Sequence, residues 1–156
     1  MHIVMKRHIR RWLNLWPPFL GSGIRVTRLD PDWRAVDVEL RSHWWNRNYV
    51  GTHYGGSLYS MVDPFYMLML IENLGGGYVV WDKSATIDFK RPGRGTVKAS
   101  FRITEEQLDE IRGSLESAEK AEPTFRVEIV DSTGDVVAKA AKVLHIRKSA
   151  RRVANL

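Results

Sequence analysis

The long apolar segment at residues 57–74 constrains the fold of this chain more than any other feature. Asp63 and Glu72 are its only charged residues, so a helix formed there would have no polar face to turn toward water. Such a helix has to be buried on nearly all sides. We therefore expect it to end at the three glycines 75–77 and to be enclosed by the rest of the chain.

Most of the remaining segments are typical of β-strands. Apolar and charged residues alternate at 36–41, which indicates a half-buried strand. Further strands are predicted at 24–29, 78–90, 96–103, 125–130 and 136–146. The capping-box pattern at 104–107 predicts a surface helix with Leu108, Ile111 and Leu115 on its inner side. About six mostly antiparallel strands beside one apolar helix predict an α+β fold in which a curved sheet wraps the helix.

The first 19 residues are predicted to form an additional basic, amphipathic helix. Pro17 ends the helical pattern, in which apolar residues recur at Met5, Ile9, Trp12, Leu13 and Trp16. Such a helix can pack on its own domain, which is the more common behaviour, or make a weak contact with an anionic membrane. We divide the chain into this helix at 1–19, a globular domain at 20–147 and a basic tail at 148–156.

The net charge of +6 comes from the two ends of the chain. Residues 1–12 contain four basic residues and no acidic one, and the same is true of residues 147–156. Between these ends, 16 basic residues face 18 acidic ones, so the body of the domain is near neutral. We therefore expect no nucleic acid as a partner.

Cysteine is absent, which excludes disulfides, thiolate metal sites and a cysteine nucleophile. We expect neither a metal nor a cofactor. The sequence shows no secretory signal and no apolar run long enough to span a membrane, and a cytoplasmic location is predicted.

The segment from Asn48 to Asp63 is the best indication of function. Gly55 and Gly56 directly precede the apolar helix, where they allow a tight turn and leave backbone N–H groups free to hold a carbonyl or an oxyanion. Asp63 follows eight residues after Gly55 and is a candidate base or nucleophile.

Two patterns in the chain resemble the hot-dog fold, in which a curved antiparallel sheet wraps a central helix. The first is Asn48-(x)2-Gly51-(x)3-Gly55-Gly56-(x)6-Asp63, and the second is Ile-Asp-Phe-Lys-Arg-Pro-Gly-Arg-Gly at 87–95. Both are similar to acyl-CoA thioesterases of the phenylacetate-pathway type, and the resemblance covers roughly residues 20–147. It implies a hydrolase that acts on acyl-CoA or another acyl thioester.

The chain departs from that pattern at two positions. Tyr54 stands where those thioesterases usually carry histidine, and His53 lies one position earlier. Pro64 directly follows the helical acid. These differences make the chain more similar to an uncharacterised hot-dog subgroup, and they keep open an alternative function as a non-catalytic protein that binds acyl-CoA or lipid.

The resemblance also implies roles for individual groups. Backbone N–H groups at 54–57 would polarise the thioester carbonyl, and Asp63 would attack it or activate water. Asp63 lies about 12 Å beyond Gly55 along a helix that rises roughly 1.5 Å per residue, so one chain cannot bring both groups to one carbonyl. The acid must then come from a second subunit, and we expect a homodimer or a dimer of dimers, that is, a homotetramer.

Each candidate residue also has a structural interpretation. Asp63 could cap a helix that restarts at Pro64, and Asn48 could hold its own loop through an Asx-turn. His53 and Tyr54 could satisfy backbone groups without contacting a substrate.

Four basic residues complete the candidate site. Lys83 falls on the apolar face of its predicted strand, so it needs either an anionic partner, for which Asp63 or Asp82 is a candidate, or a bulge that turns it outward. Lys90, Arg91 and Arg94 flank a turn where they could contact the phosphates of CoA, or they could be a solvated edge.

Overall fold

The computed structural model describes residues 2–149, with side chains from Ile9 onward. Residues 150–156 of the predicted basic tail therefore lie outside the described residues, as do the side chains of Met5, Lys6 and Arg7.

Seven strands form one curved, open antiparallel sheet. They are β1 (Ile24–Leu29), β2 (Ala35–Arg41), β3 (Tyr78–Phe89), β4 (Thr96–Arg102), β5 (Lys120–Ala121), β6 (Thr124–Val130) and β7 (Val136–Lys148). Their order across the sheet is β1-β2-β4-β6-β7-β3, and β5 pairs with β7. The six predicted strands are confirmed. The two-residue β5 is too short to show any periodicity in the sequence.

The central apolar segment forms two helices, α3 (Gly55–Ser60) and α4 (Phe65–Leu74), which agrees with the alternative of a helix that restarts near Pro64. Pro64 has no N–H to donate to the preceding turn, and it occupies the N-cap position of α4. The prediction that this segment is buried on nearly all sides is only partly correct, because Ile71 on α4 is exposed. α4 packs against β3 and β7 on the inner face of the sheet.

Aromatic side chains from several elements fill the core between these helices and the sheet. Phe65 of α4 lies 4.9 Å from Phe101 of β4 between ring centroids, and Tyr66 stacks on Phe125 of β6 at 4.6 Å. The Tyr66 hydroxyl donates to the Arg126 carbonyl at 3.0 Å. Burial raises the pKa of Tyr66 to about 12, so it remains a neutral part of this core.

At the start of the chain, α1 (His2–Leu15) is followed by the short α2 (Pro17–Ser22). The amide of Asn14 donates to the Val26 carbonyl at 3.1 Å and accepts from the Val26 N–H at 2.7 Å. Arg10 also donates to the Thr27 carbonyl at 3.0 Å. α1 therefore packs along the outer edge of β1.

The surface helix α5 (Glu105–Ser117) begins with the predicted capping box between Thr104 and Gln107. Its inner side buries Leu108, Ile111 and Leu115, as predicted. None of the helices within residues 2–149 has both the length and the apolar character that crossing a bilayer requires.

Candidate active site

The side chain of Asn48 holds the loop that precedes α3. Its Nδ2 donates to the Thr52 hydroxyl at 2.8 Å and to the His53 carbonyl at 3.2 Å. Its Oδ1 accepts from the N–H groups of Val50 at 3.2 Å and Thr52 at 2.9 Å. Both amide protons and the carbonyl oxygen are therefore occupied within the loop, as in the Asx-turn interpretation.

The glycines at the start of α3 leave two backbone N–H groups without an acceptor among the described residues. These belong to Gly55 and Gly56, whereas the Ser57 N–H donates to the Tyr54 carbonyl at 2.9 Å. Aromatic rings cover both glycines. A Cβ at position 55 would lie 3.2 Å from the Phe89 ring, and one at position 56 would collide with the ring of the otherwise exposed Tyr54. The Ser57 N–H is therefore excluded from the predicted range of donors, 54–57.

His53 connects the two sequence motifs. Its ring Nε2 lies 2.9 Å from the Gly95 carbonyl, and its backbone N–H donates to the Gly93 carbonyl at 2.9 Å. The side chain is only 3% exposed, and this burial lowers the pKa of His53 although the bond to Gly95 acts in the opposite direction. The ring is therefore a neutral donor to Gly95. Its buried Nδ1 has no partner within the described residues.

A cavity of about 400 Å³ lies where these motifs meet. It is lined by Asn48, Thr52, His53, Gly55, Leu58, Phe89, Lys90, Arg91, Pro92 and Gly93. Lys90 and Arg91 are both about half exposed and therefore lie at the rim of the cavity. The Nζ of Lys90 is 3.4 Å from Asp88, and Arg91 pairs with Asp135 at 2.5 Å. Arg94 is exposed and does not belong to the cavity lining.

Asp63 belongs to a separate cluster around Lys142 of β7. The Lys142 Nζ donates to the Asp63 carbonyl at 2.6 Å and to the Asp63 Oδ1 at 3.0 Å, and it lies 3.0 Å from the Oδ2 of Asp82 on β3. The Lys142 side chain has no exposed surface, whereas that of Asp63 is 48% exposed. The interpretation of Asp63 as a helix cap is wrong. The N-cap residue of α4 is Pro64, and the Asp63 carboxylate accepts from Lys142 instead of capping the helix.

The pKa shifts in this cluster follow from burial and from pairing. Burial alone would lower the pKa of Lys142, but its hydrogen bonds to Asp63 and Asp82 more than offset burial and raise it. Burial raises the pKa of Asp82, which Lys142 partly counteracts. Burial and a hydrogen bond to Asp63 raise the pKa of Tyr59 on α3. Lys142 is therefore a permanent cation facing two carboxyl groups.

The prediction that Lys83 approaches Asp63 or Asp82 is wrong. A bulge between Asp82 and Ser84 shifts the register of β3 and turns Lys83 outward, where it pairs with Glu122 at 2.6 Å. Lys142 has the position that was proposed for Lys83. The sequence does contain a signal for it, since Lys142 alternates in phase with the buried Ala140, Leu144 and Ile146.

Comparison with known proteins gives one family and many similar structures. A family model described as a domain of unknown function, DUF4442, matches residues 6–146. No curated protein matches the sequence significantly.

Solved structures with the same fold cover nearly the whole chain. A protein of unknown function from Pseudomonas aeruginosa, described as a probable thioesterase, has a TM-score of 0.78 and 22% identity, with 94% of this chain and 96% of that chain covered. A protein of unknown function from Chlorobaculum tepidum has a TM-score of 0.71 and 15% identity, covering 93% and 95% of the two chains. A thioesterase from Haemophilus influenzae has a TM-score of 0.66 and 12% identity, covering 91% and 90%. The prediction of a hot-dog fold is confirmed.

Proposed function

The chain belongs to the DUF4442 family, and from that premise we propose that it is a thioesterase that hydrolyses acyl-CoA or another acyl thioester. The observation that carries this proposal is the cavity in which the Asn48 loop, Gly55 and the Lys90–Arg91 turn come together. One of the similar structures is described as a thioesterase and another as a probable thioesterase, which supports the same class of reaction.

In the proposed reaction, the free N–H groups of Gly55 and Gly56 hold the thioester oxygen as it becomes negative. Asp63 takes a proton from water while the water oxygen attacks the carbonyl carbon. The carbon–sulfur bond then breaks, and the departing thiolate recovers a proton from Asp63. The products are a carboxylic acid and free thiol.

The acid in this proposal comes from a second subunit. Asp63 does not line the cavity that contains Gly55 of its own chain, but its carboxylate is half exposed. β3 is a twelve-residue edge strand, and within residues 2–149 only β7 pairs with it. A two-fold pairing of copies through this edge would bring each Asp63 toward the other chain.

The decisive experiment is a hydrolysis assay over a series of acyl-CoA chain lengths, with Asp63→Asn beside the wild type. We expect Asp63→Asn to lower kcat by about 10²- to 10⁴-fold because the general base is lost. Asp109→Asn, the same change on the exposed surface of α5, serves as the matched control and should leave kcat unaltered. Unchanged hydrolysis in Asp63→Asn would remove this residue from the mechanism.

The same assay separates hydrolysis from simple binding. Tight binding of acyl-CoA by the wild type without turnover at any chain length would contradict the thioesterase proposal. That result would instead select the alternative of a non-catalytic protein that binds acyl-CoA or lipid.

A further inference from the structure

Lys142 stands out because it is charged and completely buried. Among the side chains that the structure describes, it is the one lysine or arginine without exposed surface, and it lies on the face of β7 that otherwise carries alanine, leucine and isoleucine. Taking an ammonium group out of water is costly unless anions and hydrogen bonds replace the water. A purely structural role would be served at lower cost by an apolar side chain of similar length.

The three N–H donors of the ammonium group match three acceptors. Two of these belong to Asp63, its carbonyl and its Oδ1, and the third is the Oδ2 of Asp82. Lys142 therefore holds Asp63 by its main chain and its side chain at once, which fixes the orientation of the carboxylate. The half of the Asp63 side chain that stays exposed remains able to meet water or a substrate.

The two carboxylates differ in their access to solvent. Asp82 is 24% exposed, half the value for Asp63, and a register-shifted bulge in β3 follows it directly. The groups that face this cluster are Asp63 from the segment between α3 and α4, Tyr59 from α3, Asp82 from β3 and Lys142 from β7. One cation thus faces two carboxylates, each with an oxygen 3.0 Å from the Lys142 Nζ.

We infer that Lys142 is a positioning residue that orients the exposed Asp63 carboxylate and supplies the positive charge that faces it, and that Asp82 is the second anion that balances the buried ammonium. This inference rests on the proposed function, in which Asp63 is the base that activates water. Lys142 itself cannot contact a substrate because no part of its side chain is exposed.

The test is a titration of the Asp63 carboxyl by ¹³C NMR, with the signal assigned through its loss in Asp63→Asn. In Lys142→Met the midpoint should rise, since the positive charge 3.0 Å from the Asp63 Oδ1 is lost. In Asp82→Asn the midpoint should fall, because a like charge is lost. Lys139→Met, on the exposed side of the same strand, is the matched control and should leave the midpoint unchanged.

Opposite shifts in the two variants would not follow from a merely structural role. A midpoint for Asp63 that stays within about 0.3 pH unit of the wild type in Lys142→Met would overturn the inference. If Lys142→Met does not fold, the double variant Lys142→Met/Asp82→Asn removes both buried charges together. Its midpoint is then compared with that of Asp82→Asn, and an absence of any rise would again overturn the inference.

The pH dependence of hydrolysis supplies the link to catalysis. The acid limb of kcat/KM should move in the same direction as the Asp63 midpoint in both variants. A midpoint that shifts without a matching shift of the acid limb would contradict the positioning role. A wild-type protein that hydrolyses no thioester would overturn the proposed function, whereas the NMR titration would still decide whether Lys142 controls the ionisation of Asp63.

Discussion

Lys90 offers a test of substrate recognition by a single side chain. It lies at the rim of the cavity, and its ammonium is only loosely paired with Asp88 at 3.4 Å. If the CoA phosphates contact this rim, Lys90→Ala should raise KM for acyl-CoA by about 5-fold, equivalent to roughly 1 kcal/mol. The KM for an acyl N-acetylcysteamine thioester, which lacks the phosphates, should stay the same.

Lys98→Ala is the matched control for this measurement, because Lys98 is an exposed lysine on β4 that does not line the cavity. An equal rise in KM for both thioesters after Lys90→Ala would show that the lysine acts through something other than phosphate.

The two roles considered for Asn48 make different predictions. Asn48→Ala removes four hydrogen bonds within its loop, so we expect the free energy of unfolding to fall by about 1–3 kcal/mol. Thermal unfolding beside Tyr49→Ala, a change at a fully exposed neighbour, measures this effect. Loss of hydrolysis with no loss of stability would mean that Asn48 acts on the substrate.

Single residues also show where sequence patterns stop being informative. Lys83 follows the apolar alternation of its strand up to a bulge, and a bulge cannot be located from periodicity alone. Lys142, by contrast, stays in phase with the inward-facing residues on both sides of it in β7. Its inward direction was therefore predictable, but its pairing with Asp82 depends on β3 and β7 being neighbours in the sheet.

Among the secondary-structure elements, β3, β5 and β7 meet at a charged cluster centred on Glu122. Glu122 binds Lys83 at 2.6 Å, His145 at 3.1 Å and Lys120 at 3.2 Å, and these hydrogen bonds lower the pKa of Glu122 to about 2. A lowered pKa stabilises the folded state above the ordinary value of 4.5. That contribution is lost as the pH falls from 4.5 toward 2.

The corresponding prediction concerns acid unfolding. Between pH 4.5 and 2 the free energy of unfolding of Glu122→Gln should fall less steeply than that of the wild type, as measured by urea denaturation at several pH values. Glu119→Gln, at an exposed position just before β5, should retain the wild-type slope. Identical slopes for Glu122→Gln and the wild type would contradict the contribution of the lowered Glu122 pKa to stability.

Most elements were predictable because their local patterns agree with their final surroundings. The capping box of α5 and the alternation in β2 are examples, and both were predicted close to their observed bounds. The break between α3 and α4 was harder, since apolar composition continues across Pro64 and only the missing N–H of proline indicates it. Because of that break, Asp63 lies in the segment between the two helices and not within a helix.

For the whole molecule, the fold followed from one consideration, that an apolar helix must be enclosed. The candidate site could not be predicted in the same way. Its cavity joins loops about 40 residues apart in the sequence, through the contacts of His53 with Gly93 and Gly95. Such contacts exist only after the sheet has formed. The motif residues could therefore be predicted, but not the division of their roles.

The proposed sharing of sites between subunits can be tested by mixing two inactive variants. Gly55→Pro removes one N–H at the first position of α3 and also presses on the Phe89 ring, which a Cβ there approaches to 3.2 Å, so it should inactivate the loop half of the site. The backbone itself accepts proline, because Tyr54 already has the extended φ of −65° and ψ of 131° that proline requires before it. After subunit exchange with Asp63→Asn, half of the dimers are mixed and each has one intact site. We expect about a quarter of the wild-type activity to return.

Native mass spectrometry should confirm that the mixed dimers form. Mixed dimers without recovered activity would mean that both groups act within one chain, and a strict monomer in light scattering would contradict the shared site altogether. Mixing Asp63→Asn with Asp109→Asn tests whether exchange itself alters the activity.

The contact between Asn14 and Val26 has a consequence for how copies of this chain can assemble. Because that side chain occupies both backbone groups of Val26, it blocks a further strand at the β1 margin of the sheet, whereas no strand within residues 2–149 pairs with the outer side of β3. Two copies that join through β3 would expose only closed margins. Addition of further copies through the sheet would therefore stop at two, and the helix at the start of the chain would prevent the growth of fibres.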